Sequence, residues 1–284
     1  MMRILITGAS GFIGNYFQQH YASKYTCSSF PFSEYNLSNL TLEGIETIIH
    51  LAAIVHQPNA RKEEYTRVNV NQTLEFAKKA KENGVKHFLF MSTIAVYDST
   101  LSLIQEDSLV NPITLYGQSK LEAERQLLAL SDEAFNVSII RPPMVYGENA
   151  PGNIRSLINL IDKMPILPFG KINNKRSFVY VGNLCSLMDC IIQSKKGGIF
   201  LASDDMPQST TKLIELIAKA KNKKIYLFHM KAFQKLILWL RPSLYQRLFE
   251  SLEINNSRTK EILNFKNPYS IEDGMKIMVK GTNV

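Results

Sequence analysis

Tyr116 and Lys120 stand four residues apart in the run Tyr116-Gly117-Gln118-Ser119-Lys120. On a helix that spacing puts both side chains on one face. An ammonium one turn from a phenol favours the phenolate, so the pair predicts a tyrosine pKa below its ordinary value of about 10. A phenol tuned in this way can give or take a proton near neutral pH. The same spacing also arises by chance as a surface pair, so its surroundings decide its meaning. A second group is Met91-Ser92-Thr93, where an apolar run ends in two hydroxyls. They can hydrogen-bond a reacting oxygen or simply close a turn. A third is Thr7-Gly8-Ala9-Ser10-Gly11-Phe12-Ile13-Gly14, which follows an apolar run and opens an apolar helix. Glycines there let the backbone turn tightly beside a diphosphate, and the helix N-terminus offers N–H donors and partial positive charge.

The elements that must position these groups are legible. Apolar runs occur at 4–6, 47–51, 87–91 and 135–140. Between them lie stretches at helical spacing, among them 63–82, closed by Asn83-Gly84, and 114–130. Continuous apolar strands alternating with helices predict an α/β fold, a doubly wound parallel sheet covered on both faces. After residue 150 the pattern loosens through Pro151-Gly152 and Leu167-Pro168-Phe169-Gly170. A helix over 209–220, a strand over 224–228 and one or two helices over 231–252, interrupted near Pro242, are expected next. The division expected is a dinucleotide-binding domain over 1–165, with 176–202 returning to it, and a smaller C-terminal substrate-binding lobe over 166–284.

The 284 residues are 45% apolar and 20% charged, ordinary globular usage that excludes a disordered tail, a collagen repeat and a disulfide scaffold. Three cysteines predict reduced thiols, and no ligand set for a metal is read from them. No apolar stretch reaches the roughly 18 residues of a spanning helix, and the N-terminal run is too short for a signal peptide. A cytoplasmic protein is the expectation. The net charge of +8 comes wholly from residues 210–284, with 14 Lys+Arg against 6 Asp+Glu. Such a segment can attract nucleic acid, anionic lipid or a phosphate-bearing small molecule, or be a solvated basic face. No zinc finger or RNP-like sequence supports nucleic acid. The run Lys231 to Phe249 is basic and amphipathic, with Trp239 among leucines. It is expected to pack on the sheet domain, not to contact a membrane.

A dinucleotide site needs an acidic residue at the end of the second strand for the adenosine ribose. Here that stretch is Cys27-Ser28-Ser29-Phe30-Pro31-Phe32-Ser33-Glu34. Glu34 comes late and no arginine is present, so NAD and NADP both stay open. The lack of a carboxylate leans slightly to NADP.

In order along the chain these motifs resemble the extended short-chain dehydrogenase/reductase superfamily, and within it the NAD(P)-dependent nucleotide-sugar epimerase/dehydratase family. The resemblance rests also on His50-Leu51-Ala52-Ala53, on Asn69 in Val68-Asn69-Val70-Asn71-Gln72-Thr73, on 141–147 (Arg141-Pro142-Pro143 to Gly147) and on 176–184. It implies a Rossmann-like fold. It implies that Gly8, Ser10, Gly11, Phe12 and Ile13 cradle the cofactor diphosphate, that Leu51, Ala52 and Ala53 pass beside the cofactor, and that Asn69 lies near its adenine side. The backbone at Pro143 would meet the nicotinamide amide. Thr93 would hydrogen-bond the sugar oxygen, Tyr116 would be the acid/base, and Lys120 would bind the nicotinamide ribose. Asn153, Leu167 and Arg176 would lie along the nucleotide part of a UDP-sugar. Asn183 stands where the family often has aspartate, and Asn36 where an aspartate usually contacts adenine.

The implied reaction is at C4 of a UDP-linked hexose. Ile94-Ala95 follows Thr93 where a 4,6-dehydratase carries an acidic pair. The expectation is reduction of a UDP-4-keto-6-deoxy-N-acetylhexosamine by NAD(P)H in surface polysaccharide synthesis, with a UDP-sugar 4-epimerase holding NAD as the alternative. A non-catalytic NAD(P)-binding regulator is a third reading. Apolar residues at 74, 76, 77, 127 and 128 suit either a homodimer through a four-helix contact, as the resemblance implies, or plain burial.

Overall fold

The structure is a computed structural model. It describes residues 1–55 and 60–280, and their side chains except those of Ser33, Asn39, Asn153 and Lys280. Six strands build the central sheet: β1 (Met2–Thr7), β2 (Tyr25–Phe30), β3 (Thr47–His50), β4 (His87–Met91), β5 (Asn136–Arg141) and β6 (Gly198–Leu201). Their order across the sheet is β6-β5-β4-β3-β1-β2, and every pairing is parallel. The order reverses at β1, flanked by β2 and β3, which makes that edge the switch point of a doubly wound sheet.

Side chains explain why both faces are covered. In a strand, successive residues point to opposite faces. Ile4, Ile6, Ile49, Leu89 and Ile140 enter one apolar cluster with Phe17 of α1 (Phe12–Tyr21), and Leu184, Met188 and Ile191 join it from the helix Val181–Ser194. Leu5, Ile48, Phe88, Phe90 and Ile139 enter the other cluster. There they meet Phe76, Ala77 and Ala80 of α2 (62–82), and Ala123 and Leu127 of α3 (Leu115–Leu130). Phe76, Ala77 and Leu127 are thereby spent on the sheet. The middle of α2, Thr66–Gln72, is π-helical.

Beyond the sheet, the helix Thr210–Ala220 is capped by Ser209, and Tyr226–Leu227 pairs with Ile166–Leu167. The helices Lys231–Leu240 and Pro242–Phe249 meet at Pro242. Both helices rest shallowly on the core: Phe233, Leu248 and Phe249 pack against it, and neither helix has a fully buried residue. The inner edge of Lys231–Leu240 sets Phe233 against Phe169, with ring centres 5.6 Å apart. Among the described residues, no helix is long and apolar enough to cross a membrane.

Two buried histidines set an acid limit on this fold. Ser138 Oγ donates to the Lys196 carbonyl at 2.6 Å, so His87 Nε2 must donate to that hydroxyl at 2.7 Å. His87 Nδ1 is then a lone pair with no partner among the described residues. Burial brings His87 down to about 4 and holds His50 well below its ordinary value. The unfolded chain takes up those protons near pH 6.5. Stability from the neutral rings is therefore full above that pH and falls as pH drops towards the folded value. His87 alone is expected to contribute a loss of about 3 kcal/mol by pH 4. Urea unfolding at pH 7.5 and 4.5 checks this, and an equal acid loss in His87→Gln would refute it.

Candidate active site

Because the strands are parallel and in register, their carboxyl ends lie level. Thr7 pairs with His50, His50 with Phe90, and Phe90 with Ile139. The segments that follow, 8–11, 51–53, 92–93 and 142–143, are therefore neighbours along one edge. Gly8 sits at φ 69°, and a Cβ on it would lie 2.9 Å from the Ala52 nitrogen. Its lack of a side chain is what lets the first loop meet the third. Gly11 caps α1 with no side-chain hydrogen bond, and no acidic residue occupies the first turn. Ser10 and Gly11 are exposed, and Phe12 and Ile13 are half-buried. Open N–H groups at a helix start, beside glycine backbone, fit the diphosphate of a dinucleotide.

Leu51, Ala52 and Ala53 form the neighbouring wall. Thr7 holds it: its carbonyl accepts from Leu51 N at 3.1 Å and its hydroxyl from Ala52 N at 3.2 Å. The Thr7 hydroxyl also bonds His50 Nδ1 at 2.9 Å, and His50 Nε2 bonds Thr73 Oγ1 at 3.1 Å. Asn69 corrects the expectation of direct cofactor contact. It is 1% exposed. Its amide oxygen accepts from Ile54 N at 2.8 Å, and its nitrogen donates to Ile54 O at 2.9 Å and to Ser119 Oγ at 3.0 Å. Both polar atoms of the amide have partners inside the protein, so Asn69 braces the wall. Ser119 in turn donates to the Tyr116 carbonyl at 2.8 Å, tying the wall to α3.

Thr93 follows β4 and accepts from Ala95 N at 3.1 Å, which leaves its proton to donate. Thr114 caps α3 by accepting from Gly117 N at 3.0 Å. A Cβ on Gly117 would collide with the Ala95 carbonyl oxygen. Glycine at 117 thus lets α3 press Tyr116 towards the Thr93–Ala95 segment. Lys120, 2% exposed, donates from Nζ to the Met91 carbonyl at 2.8 Å and lies 4.3 Å from the Phe90 ring centre. It reaches the same edge from beneath.

The expected pKa pattern is reversed in the structure. Burial, with Tyr65 nearby, raises Tyr116 to about 12. Burial lowers Lys120 to about 7, against the upward pull of Glu124. Desolvation disfavours both charged forms and here outweighs the attraction expected from the spacing. The phenol rests protonated, while the amine is poised near neutral pH.

Glu124 and Arg141 were not singled out as site residues from the sequence. The Arg141 guanidinium grips Glu124, with Nε 3.0 and 3.2 Å from its two oxygens, and Nη1 donates to the Tyr97 hydroxyl at 2.8 Å. Ser92 Oγ donates to Glu124 as well. This buried cluster fixes the residue before Thr93, one helical turn beyond Lys120. The signal available was Glu124 at four residues after Lys120, on the α3 face that carries Tyr116.

Pro143 is buried just past β5, where the Pro142 carbonyl accepts from Ile94 N at 3.1 Å. Leu167 is a correction: it is 1% exposed in the apolar core and lines no open surface. Strand pairing with Leu227 turns it inward. The side chain of Asn153 lies outside the described residues. Arg176 donates from Nη1 to the carbonyls of Gln246 and Glu250 at 3.1 and 3.2 Å, at the end of the helix Pro242–Phe249. Burial and the neighbouring Arg247 lower its pKa. Among the described residues, neither arginine has a carboxylate within ion-pair distance. Two adjacent unpaired guanidiniums suit an anion.

Asn183 has a physical reason. Its amide nitrogen donates to Asp204 Oδ1 at 2.7 Å and to Tyr269 O at 2.9 Å, while its oxygen accepts from Tyr269 N at 3.0 Å. Burial raises Asp204. An aspartate at 183 would press a second carboxylate against it. Asn183→Asp is expected to destabilise the protein by about 2–4 kcal/mol at pH 7.5. The loss shrinks on acidification as the pair takes up a proton. Thermal melts at two pH values test this, and a pH-independent loss would contradict it.

A doubly wound sheet with a glycine loop at its switch point is the arrangement that suits a dinucleotide. Residues 4–202 match the NAD dependent epimerase/dehydratase family, and the chain belongs to that family. It is an enzyme of the extended short-chain dehydrogenase/reductase type. It is 34% identical to a UDP-glucose 4-epimerase of Vibrio cholerae, over 96% of this chain and 93% of that protein. It is 27% identical to an N-acetyl-alpha-D-glucosaminyl-diphospho-ditrans,octacis-undecaprenol 4-epimerase of Escherichia coli O157:H7, over 80% of this chain and 75% of that one. The fold matches a UDP-glucuronic acid 4-epimerase from Bacillus cereus, solved with NAD, at a TM-score of 0.80 and 20% identity, covering 99% and 98% of the two chains.

Proposed function

We propose that the protein is a UDP-sugar 4-epimerase that retains NAD through the reaction. The observation that supports this reading is that Lys120 of α3, one turn after Tyr116, bonds the Met91 carbonyl two residues before Thr93, at the sheet edge that carries the glycine loop. The preference for epimerase over the 4-keto reductase expected from the sequence rests on the activities named for the two curated relatives above.

Gly8, Ser10, Gly11, Phe12 and Ile13 would hold the cofactor diphosphate, Leu51 to Ala53 its flank, Pro143 the nicotinamide end and Lys120 the ribose hydroxyls. When bound, NAD would supply the acceptor and donor of the C4 hydride, with the keto sugar presenting its other face before the hydride returns. Tyr116 accepts the proton of the C4 hydroxyl as the hydride departs and gives it back when the hydride returns. A charged Lys120 stabilises the phenolate in that interval, and Thr93 donates to the C4 oxygen. Hydride and proton both go back to the sugar, so no net oxidation occurs. Arg176 and Arg247 would meet the sugar-nucleotide diphosphate. Ile94-Ala95 supplies no acidic pair for dehydration.

The test is to denature the purified protein and assay the released dinucleotide. Near-stoichiometric NAD, with interconversion of UDP-glucose and UDP-galactose or of their N-acetyl forms, is expected. An empty site that consumes NADPH on a 4-keto UDP-sugar would overturn the proposal in favour of the reductase, which needs the same three side chains.

A further inference from the structure

We propose that the outer face of the helix Lys231–Leu240 docks this protein on an anionic lipid bilayer. Around that helix Leu236, Leu238 and Leu240 are exposed, and Trp239 is exposed to 79%. Four large apolar side chains in solvent along one ten-residue helix are not incidental in a chain with an ample core. Phe228 and Met230, just before the helix, are exposed too and extend the patch.

Charge identifies the occupant. Residues 221–250 hold seven Lys+Arg and one acidic residue, Glu250. Lys221 and Lys223 share the single Asp162 carboxylate. Among the described residues, Lys231, Lys235 and Arg241 have no carboxylate within ion-pair distance. A short helix whose tryptophan and leucines stand in solvent beside unpaired cations suits the headgroup layer of a bilayer. A second copy of this chain is a poor occupant. A two-fold contact through this patch would set each basic hairpin against its equal. Anionic lipid supplies the missing negative charge and an apolar layer together. The inner edge of the helix stays on Phe169 through Phe233, so docking needs no unfolding. The proposal is independent of the reaction assigned above.

Trp239 is the chain's sole tryptophan, so intrinsic fluorescence reports this face alone. The full-length protein is titrated with vesicles of phosphatidylcholine containing about a third phosphatidylglycerol. A blue shift and quenching by brominated acyl chains are expected, with binding at least about tenfold weaker to pure phosphatidylcholine or at high salt. Lys231→Glu with Lys235→Glu, and separately Leu236→Ser with Leu240→Ser, should each weaken binding about tenfold or more while the melting temperature holds. Solvent-like Trp239 emission with anionic vesicles would overturn the proposal. So would a blue shift that appears without vesicles as protein concentration rises, which would name a second copy as the occupant.

Discussion

Tyr116→Phe is expected to lower kcat by about 10²–10⁴ with little change in binding of the sugar nucleotide, the usual scale for loss of a general acid/base. Phenylalanine keeps the ring that fills the buried position and removes only the hydroxyl. The phenol is raised to about 12 by burial, so the base form must be created by a cation. Lys120, poised near 7, is that cation when protonated. The rate should fall along an alkaline limb as Lys120 loses the charge that favours the phenolate. In Lys120→Met the rate should be low throughout and that limb absent, because the charge favouring the phenolate is gone. Steady-state kinetics from pH 6 to 10 on the three proteins checks both. A near-normal rate in Tyr116→Phe would remove it from proton transfer.

Glu124→Ala is expected to cost about 3–5 kcal/mol of stability, because it strands a buried guanidinium. Arg141 has the Glu124 carboxylate and the Tyr97 hydroxyl as its hydrogen-bond partners. That loss is a large share of a typical total of about 5–15 kcal/mol. Replacing both partners, Glu124→Leu with Arg141→Met, should recover most of it, since apolar groups of similar volume need no partner. Urea unfolding of the single and double variants decides the matter. Equal losses in the two would show that the packing, not the stranded charge, sets the cost. Removing the carboxylate also takes away what pulls Lys120 upward, so the single variant should need more acid conditions to keep the amine charged.

The fit between the two cores and the strand pattern explains how much could be read in advance. Strands covered on both faces must be apolar throughout, and 4–6, 47–50 and 87–91 are nearly so. Helix spacing located α2 and α3 because their Phe76, Ala77, Ala123 and Leu127 recur on one face. The glycine loop was legible because a turn that brings Gly8 against Ala52 admits no side chain. Tyr116, Lys120 and Thr93 could be proposed for a similar reason, since their types and spacing are few and local.

Tertiary structure decided what spacing cannot carry. Proton affinities at Tyr116 and Lys120 follow burial, which depends on distant segments, and burial reversed the expected direction. Asn69 has the residue type of a ligand contact, yet its amide is bonded to Ile54 and Ser119, neither near it in sequence. Leu167 is apolar enough to line a site or fill a core, and pairing with Leu227 sent it to the core. The leucines and Trp239 of 231–240 carry the same periodic signal as a buried helix. Which side meets protein is fixed by the rest of the fold, and here the fold left that side open. Local pattern determines which groups a chain can offer, while the free energy of desolvating them is set by everything that packs around them.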